Sequence, residues 1–140
     1  ATRRATMDLI STTDNTSEGI TMNADPANRR NNHSKRTYSY NEAIADLNKA
    51  IKRFPDFAYS YYSRATLRAL SGSLPEAFED YTKAIELNPD FAEASYNRGI
   101  VQLFMKDTRT GCLDLSKAGE LGIAEAYDIL KHYSKTDNDE

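Results

Sequence analysis

Apolar residues recur along this chain at offsets of four, three and one: Ala43, Leu47, Ala50 and Ile51, then Ala77, Tyr81, Ala84 and Ile85. That spacing places each set on one face of a helix. Ser39 with Glu42 and Ser73 with Glu76 precede the two runs as S-x-x-E capping boxes, in which serine accepts from an orphan amide and glutamate reaches back. Asp107 holds the same phase. Pro55 and Pro89 stop these helices, because proline lacks an amide hydrogen and disfavours helix in the residue before it. The pattern predicts intervening helices over Ala58 to Leu70, ended by Gly72, and over Ala92 to Met105.

The two runs are copies. Asn41 to Phe57 laid on Pro75 to Phe91 share nine of seventeen residues, each pair 34 apart, where chance gives about one. The shared pairs are Glu42/Glu76, Ala43/Ala77, Asp46/Asp80, Lys49/Lys83, Ala50/Ala84, Ile51/Ile85, Pro55/Pro89, Asp56/Asp90 and Phe57/Phe91. Asp114, Lys117 and Ala118 continue the series one period later. Ala65 and Gly99, also 34 apart, put small residues where helices can approach closely. A mid-helix glycine costs roughly 1 kcal/mol against alanine, so Gly99 implies a packing reason.

Residues 1–38 differ in kind. Their large aliphatics are Leu9, Ile10 and Ile20 among many Thr, Ser, Asn, Asp and Arg, too few to offset ordering entropy, so a disordered or linker segment is expected. Of 18 basic and 21 acidic side chains in the chain, six and four lie in residues 1–40, which leaves 12 and 17 beyond and makes the repeats acidic. With net charge −3, nucleic acid is not an expected partner. The local cluster Arg29, Arg30, His33, Lys35 and Arg36 reads as a solvated linker rather than a site for an acidic partner. Ala1 in place of Met, with no charged-then-apolar leader, leads to the expectation of an excerpt or processed chain, and either a cytoplasmic or an exported setting fits. No apolar stretch approaches the roughly 20 residues a bilayer needs.

Catalytic chemistry finds no foothold. His33 and His132 stand far apart without spaced partners, and the single Cys112 excludes an intrachain disulfide and a cysteine-built zinc site. Cys112 reads as a small, partly buried hydrophobe, since no Lys, Arg or His is phased to activate it. The six glycines form no phosphate-cradling run. Neither enzyme activity, metal nor cofactor is expected. Asn15-Thr16-Ser17, Asn32-His33-Ser34 and Arg3-Arg4-Ala5-Thr6 match short modification patterns that arise readily in polar segments.

On these residues the chain resembles the tetratricopeptide repeat, a 34-residue helix-turn-helix unit. The family's pattern falls on Ala65, Ala77, Tyr81, Ala84 and Pro89, then on Gly99, Gly111, Leu115 and Ala118, with Ile123 where proline is expected. The resemblance implies an all-α, antiparallel helix-hairpin solenoid, the TPR superhelix. Its units would be a half repeat over 39–57, repeats over 58–91 and 92–123, and a capping helix over 124–134, together a domain of residues 39–134 followed by a flexible tail, 135–140. The first helix of the half repeat would fall near residues 24–37, where no apolar stripe exists. Residues 117–130 also resemble the close of Sel1-like repeats. Ile123, Ala126, Ile129 and Leu130 form one face opposite Glu125, Asp128, Lys131 and His132, as suits a terminal cap.

Functionally the resemblance implies a protein-interaction scaffold in which the first helices line a concave groove for a peptide or protein segment. The groove positions carry Tyr59, Tyr62, Ser63 and Thr66, then Glu93, Tyr96, Asn97 and Ile100. Tyr62 and Tyr96, 34 apart, serve either as contact surface for a peptide or as packing between helices. Family members that clamp a terminal carboxylate use places held here by Tyr62, Thr66, Asn97, Tyr127 and Lys131, of which Asn97 and Lys131 alone fit, so that clamp is not expected. The expected setting is the C-terminal part of a longer repeat protein. The alternative is a structural or oligomerising end cap, and the partly covered 40–53 helix with its face of Ile44, Leu47 and Ile51 is expected either to self-associate weakly or to be met by folding back of part of residues 1–37.

Overall fold

The computed structural model describes residues 7–10 and 32–136. Six helices follow one another: α1 (Asn32–Arg53), α2 (Ala58–Leu70), α3 (Leu74–Leu87), α4 (Ala92–Phe104), α5 (Thr108–Glu120) and α6 (Glu125–Thr136). Each packs on the next, and α2 also touches α4, so two hairpins, α2–α3 and α4–α5, stack between α1 and α6. The antiparallel hairpin solenoid is therefore the observed architecture, and the second and fourth helices form its inner layer.

Helix starts depart from the capping boxes. α1 begins at Asn32 and runs through Ser39, because no proline or glycine interrupts the chain between Pro26 and Pro55 and a serine is tolerated inside a helix docked further along. Ser73 does occupy the N-cap of α3, yet its side chain makes no capping bond; Pro75 removes one of the orphan donors instead. Asp107 caps α5 by accepting from the Thr110 amide. α6 extends to Thr136, one residue beyond the first position of the expected tail. Apart from residues 7–10 and the start of α1, the expected linker lies outside the described residues, as do the Arg3 and Asn15 patterns and Arg29 and Arg30 of the basic cluster.

Three of the turns share one device. The amides of Ser73, Asp107 and Ile123 reach back to the carbonyls of Arg68, Gln102 and Ala118, and those of Gly72, Lys106 and Gly122 to Ala69, Leu103 and Gly119. These are Schellman closures, which put the residue after the cap in the left-handed region. Glycine takes that conformation at 72 (φ +90°) and 122 (φ +112°), but Lys106 holds it at φ 67° against its Cβ. Lys106→Gly is expected to raise stability by about 1 kcal/mol, as measured by urea unfolding.

The core is built from small residues where helices cross and tyrosines where they diverge. Ala65, Ala77, Ala84, Ala94, Ala118 and Ala126 have no or almost no exposed surface, and Tyr81 and Leu115 are fully enclosed. A Cβ at Gly99 would stand 2.9 Å from the Gly111 carbonyl and 2.9 Å from Leu115 Cγ, so the packing reason is a close α4–α5 crossing. On the half repeat, Ile44, Leu47 and Ile51 are half-buried, with Ile51 against the main core.

A repeating polar spine locks each inner helix to both outer neighbours. Arg64 forks onto Asp80 at 2.8 and 2.7 Å and reaches Asn48 at 2.8 Å. One period later Arg98 forks onto Asp114 at 2.6 and 2.8 Å and reaches Thr82 at 3.2 Å. Arg68 and Gln102 bind the same two carboxylates. Asp80 raises the Arg64 guanidinium above its ordinary pKa through their hydrogen bonds, partly opposed by burial.

Candidate functional site

The inner face is organised by residues that α2 and α4 present at equivalent turns. Tyr62 leaves α2 with its ring 4.8 Å from that of Phe91, 5.9 Å from Tyr81 and 6.0 Å from Tyr59. Asn97, 35 residues on, points from α4 to the same place, and its Nδ2 lies 3.4 Å from the Tyr62 hydroxyl. Thr66 braces the arrangement from below, sharing a 2.8 Å hydrogen bond with the buried Tyr81 hydroxyl. Burial pushes both the Tyr62 and Tyr81 phenols well above their usual range, Tyr62 further through Tyr81 and Glu93, so each remains protonated at neutral pH.

A segment of this same chain, residues 7–10, lies across that face. The Ile10 amide donates to Asn97 Oδ1 at 2.8 Å, and Asn97 Nδ2 donates to the Ile10 carbonyl at 2.8 Å. The Tyr62 hydroxyl donates to that carbonyl as well. One residue's main chain is thus read on both its donor and its acceptor, and Asn97 is completely buried with its carboxamide satisfied. Met7 and Leu9 pack against both core clusters, while Ile10 packs against the cluster of Tyr96 and Ile100. Beyond Asp8 the face continues into a cavity of about 540 Å³ between α4 and α6, bordered by Tyr96, Ile100, Phe104, Glu125, Ile129 and Tyr133.

Of the residues singled out in the sequence, Tyr62, Thr66, Tyr96, Asn97 and Ile100 come together on this face and are buried, and Tyr59 and Glu93 are half-buried at the start of their helices. The alternatives for the tyrosines are not exclusive. Tyr62 packs between helices through its ring and meets Ile10 through its hydroxyl; Tyr96 stands at the cavity, where burial raises its phenol pKa. Sequence reasoning allowed part of residues 1–37 to fold back on the 40–53 helix but did not place Met7 to Ile10 on this face, although Leu9 and Ile10 were two of the three large aliphatics in that polar stretch. It also missed the Arg64 and Arg98 forks, for which the recurring Asp80 and Asp114 were the available signal.

A family model described as TPR repeat matches residues 67–103. Among solved structures, the first TPR of Spaghetti (RPAP3), bound to the HSP90 peptide SRMEEVD, aligns with TM-score 0.67 at 22% identity, over 77% of this chain and 87% of that one. The TPR2B domain of yeast Sti1, in a complex with pHsp70, aligns with TM-score 0.66 at 25% identity, over 83% of this chain and 99% of that one. The fold is that of the tetratricopeptide repeat. No curated protein matches the chain. Within the TPR frame, the hairpins α2–α3 and α4–α5 stack on one another, with α1 on one side and α6 on the other. Among the described residues, no group of three or more His, Cys, Asp or Glu is placed to hold a metal, and no helix is long and apolar enough to cross a membrane.

Proposed function

We propose that the inner face of this TPR array is a peptide-binding groove that reads the main chain of an extended segment, and that the chain acts as a protein-interaction scaffold without chemistry of its own. The observation that carries the reading is the paired hydrogen bonding of Asn97 to the amide and carbonyl of one residue, with Tyr62 on the same carbonyl. A carboxamide pairs with the main-chain amide and carbonyl of one residue whatever its side chain, so it fixes register while apolar contacts on either side supply affinity. The two structural neighbours are likewise TPR domains, one with an HSP90 peptide and one with pHsp70.

The groove suits an interior peptide segment better than a chain end. Tyr62 and Thr66 stand where a carboxylate clamp would need a cation and an amide, and both side chains are committed to neutral hydrogen bonds. In this reading α6 closes the array; the Sel1-like character of residues 117–130 rests on the sequence pattern alone.

Panning a displayed library of twelve-residue peptides against the full chain tests this function. Wild type should enrich clones that Asn97→Leu does not, and Tyr62→Phe should bind the same clones about fivefold more weakly, the worth of one hydrogen bond near 1 kcal/mol. Equal recovery by wild type and Asn97→Leu would overturn the groove.

A further inference from the structure

We infer that residues Met7 to Ile10 are a tethered ligand of the groove, so that an external partner binds by displacing a segment of the chain itself and carries a similar extended, largely apolar sequence. This rests on the peptide-binding reading above. The occupant is on view: the main-chain amide and carbonyl of Ile10 are taken by Asn97 and Tyr62, and Met7 and Leu9 span the two core clusters. If the segment left, Asn97, now fully buried, would lose two of its three hydrogen bonds, so the site calls for another main chain in the same place.

Reach is sufficient. Twenty-one residues separate Ile10 from Asn32, a contour of about 70 Å at most, roughly twice the length of a helix of 22 residues. A short tether gives an effective concentration of order 1 mM. A segment whose own affinity is about 100 µM then lowers the apparent affinity of a competitor about tenfold. That competition makes the groove respond only to partners that bind better than Met7–Ile10, or to events that withdraw the segment.

The chemistry of the segment states what a partner needs. The residue read by Asn97 must keep its amide hydrogen, which excludes proline there. Apolar side chains are required at the places of Leu9 and Ile10, against Tyr96 and Ile100. At the place of Asp8 selection is weak, because the adjoining cavity presents Lys106 together with Glu125 and Asp128.

The test uses the full chain and a fluorescent peptide with the sequence of residues 4–13. Leu9→Ser/Ile10→Pro removes the apolar contact and the donated amide hydrogen without touching the helices, which circular dichroism can verify. Fluorescence anisotropy should show this variant binding the peptide about tenfold more tightly than wild type, and adding Asn97→Leu to the variant should abolish the gain. Wild type should sediment as a monomer at every concentration. Equal affinity in wild type and the double variant would overturn the tethered ligand, and so would a wild-type dimer that the double variant lacks, since the occupant would then come from a second copy. Library peptides that bind both forms equally would defeat this inference and leave the groove standing; absence of any peptide binding in either form would defeat both.

Discussion

Gly99→Val should lower stability by about 3 kcal/mol, a shift in melting temperature of order 10–20 °C for a domain of this size. Helix propensity alone argues the other way, since any side chain but proline improves on glycine by up to about 1 kcal/mol. Geometry decides the sign. The added Cβ would meet the backbone carbonyl of Gly111 at 2.9 Å, Leu115 Cγ at 2.9 Å and Asp114 Cβ at 3.3 Å, and the first of these is not a flexible side-chain end. Two valine methyls worsen the contact and push α4 from α5, loosening the Arg98–Asp114 fork that crosses the same interface. The preceding repeat has Ala65 and Ala77 at the equivalent places, so α2 and α3 already cross at a spacing that admits methyl groups. Urea unfolding of Gly99→Val beside Ala65→Gly separates the effects. A variant more stable than wild type would show that the crossing yields and that propensity governs.

The second large effect concerns Asn97→Leu, which, introduced into Leu9→Ser/Ile10→Pro so that no tethered segment competes, should weaken binding of any groove peptide by 100-fold or more while changing the melting temperature little. Leucine approximates asparagine in volume and sits on the same helix with better propensity. It leaves an amide and a carbonyl of the ligand facing an apolar wall, each costing about 1 to 3 kcal/mol when unpaired. Tyr62 still donates to the carbonyl, so the amide carries most of the loss. Titration with a library peptide, read by calorimetry, measures it. Near-equal affinities would mean that side-chain burial alone holds the ligand.

Periodicity made the repeat units legible, because a hairpin that must stack on its copies carries the same small and apolar residues at the same places: Ala77, Ala84 and Leu115 are enclosed where the 34-residue pattern put them. The candidate residues Tyr62, Thr66, Tyr96, Asn97 and Ile100 were legible for the same reason, as a face of α2 and α4. Two things were not. The early start of α1 reflects the absence of a breaker after Pro26, a signal weaker than the serine and glutamate that suggested a later start. The segment at 7–10 has no period and no propensity of its own. Its place is fixed by partners nearly ninety positions away, and four residues in a polar stretch give local pattern nothing to act on. The Schellman turns show the middle case: Gly72 announces its turn, whereas Lys106 adopts the same conformation with no sequence mark.

The claim that Asn97 reads the main-chain amide and carbonyl of one residue is tested most directly by hydrogen exchange at a single site, the Ile10 amide in the intact protein. That amide lies in no helix, and its donation to Asn97 Oδ1 at 2.8 Å is what protects it. Its exchange should be slowed at least tenfold relative to an unstructured peptide of residues 4–13, and Asn97→Leu should restore the peptide rate while amides of α2 and α4 keep theirs. An Ile10 amide that exchanges at the peptide rate in wild type, or one whose protection survives Asn97→Leu, would contradict the account.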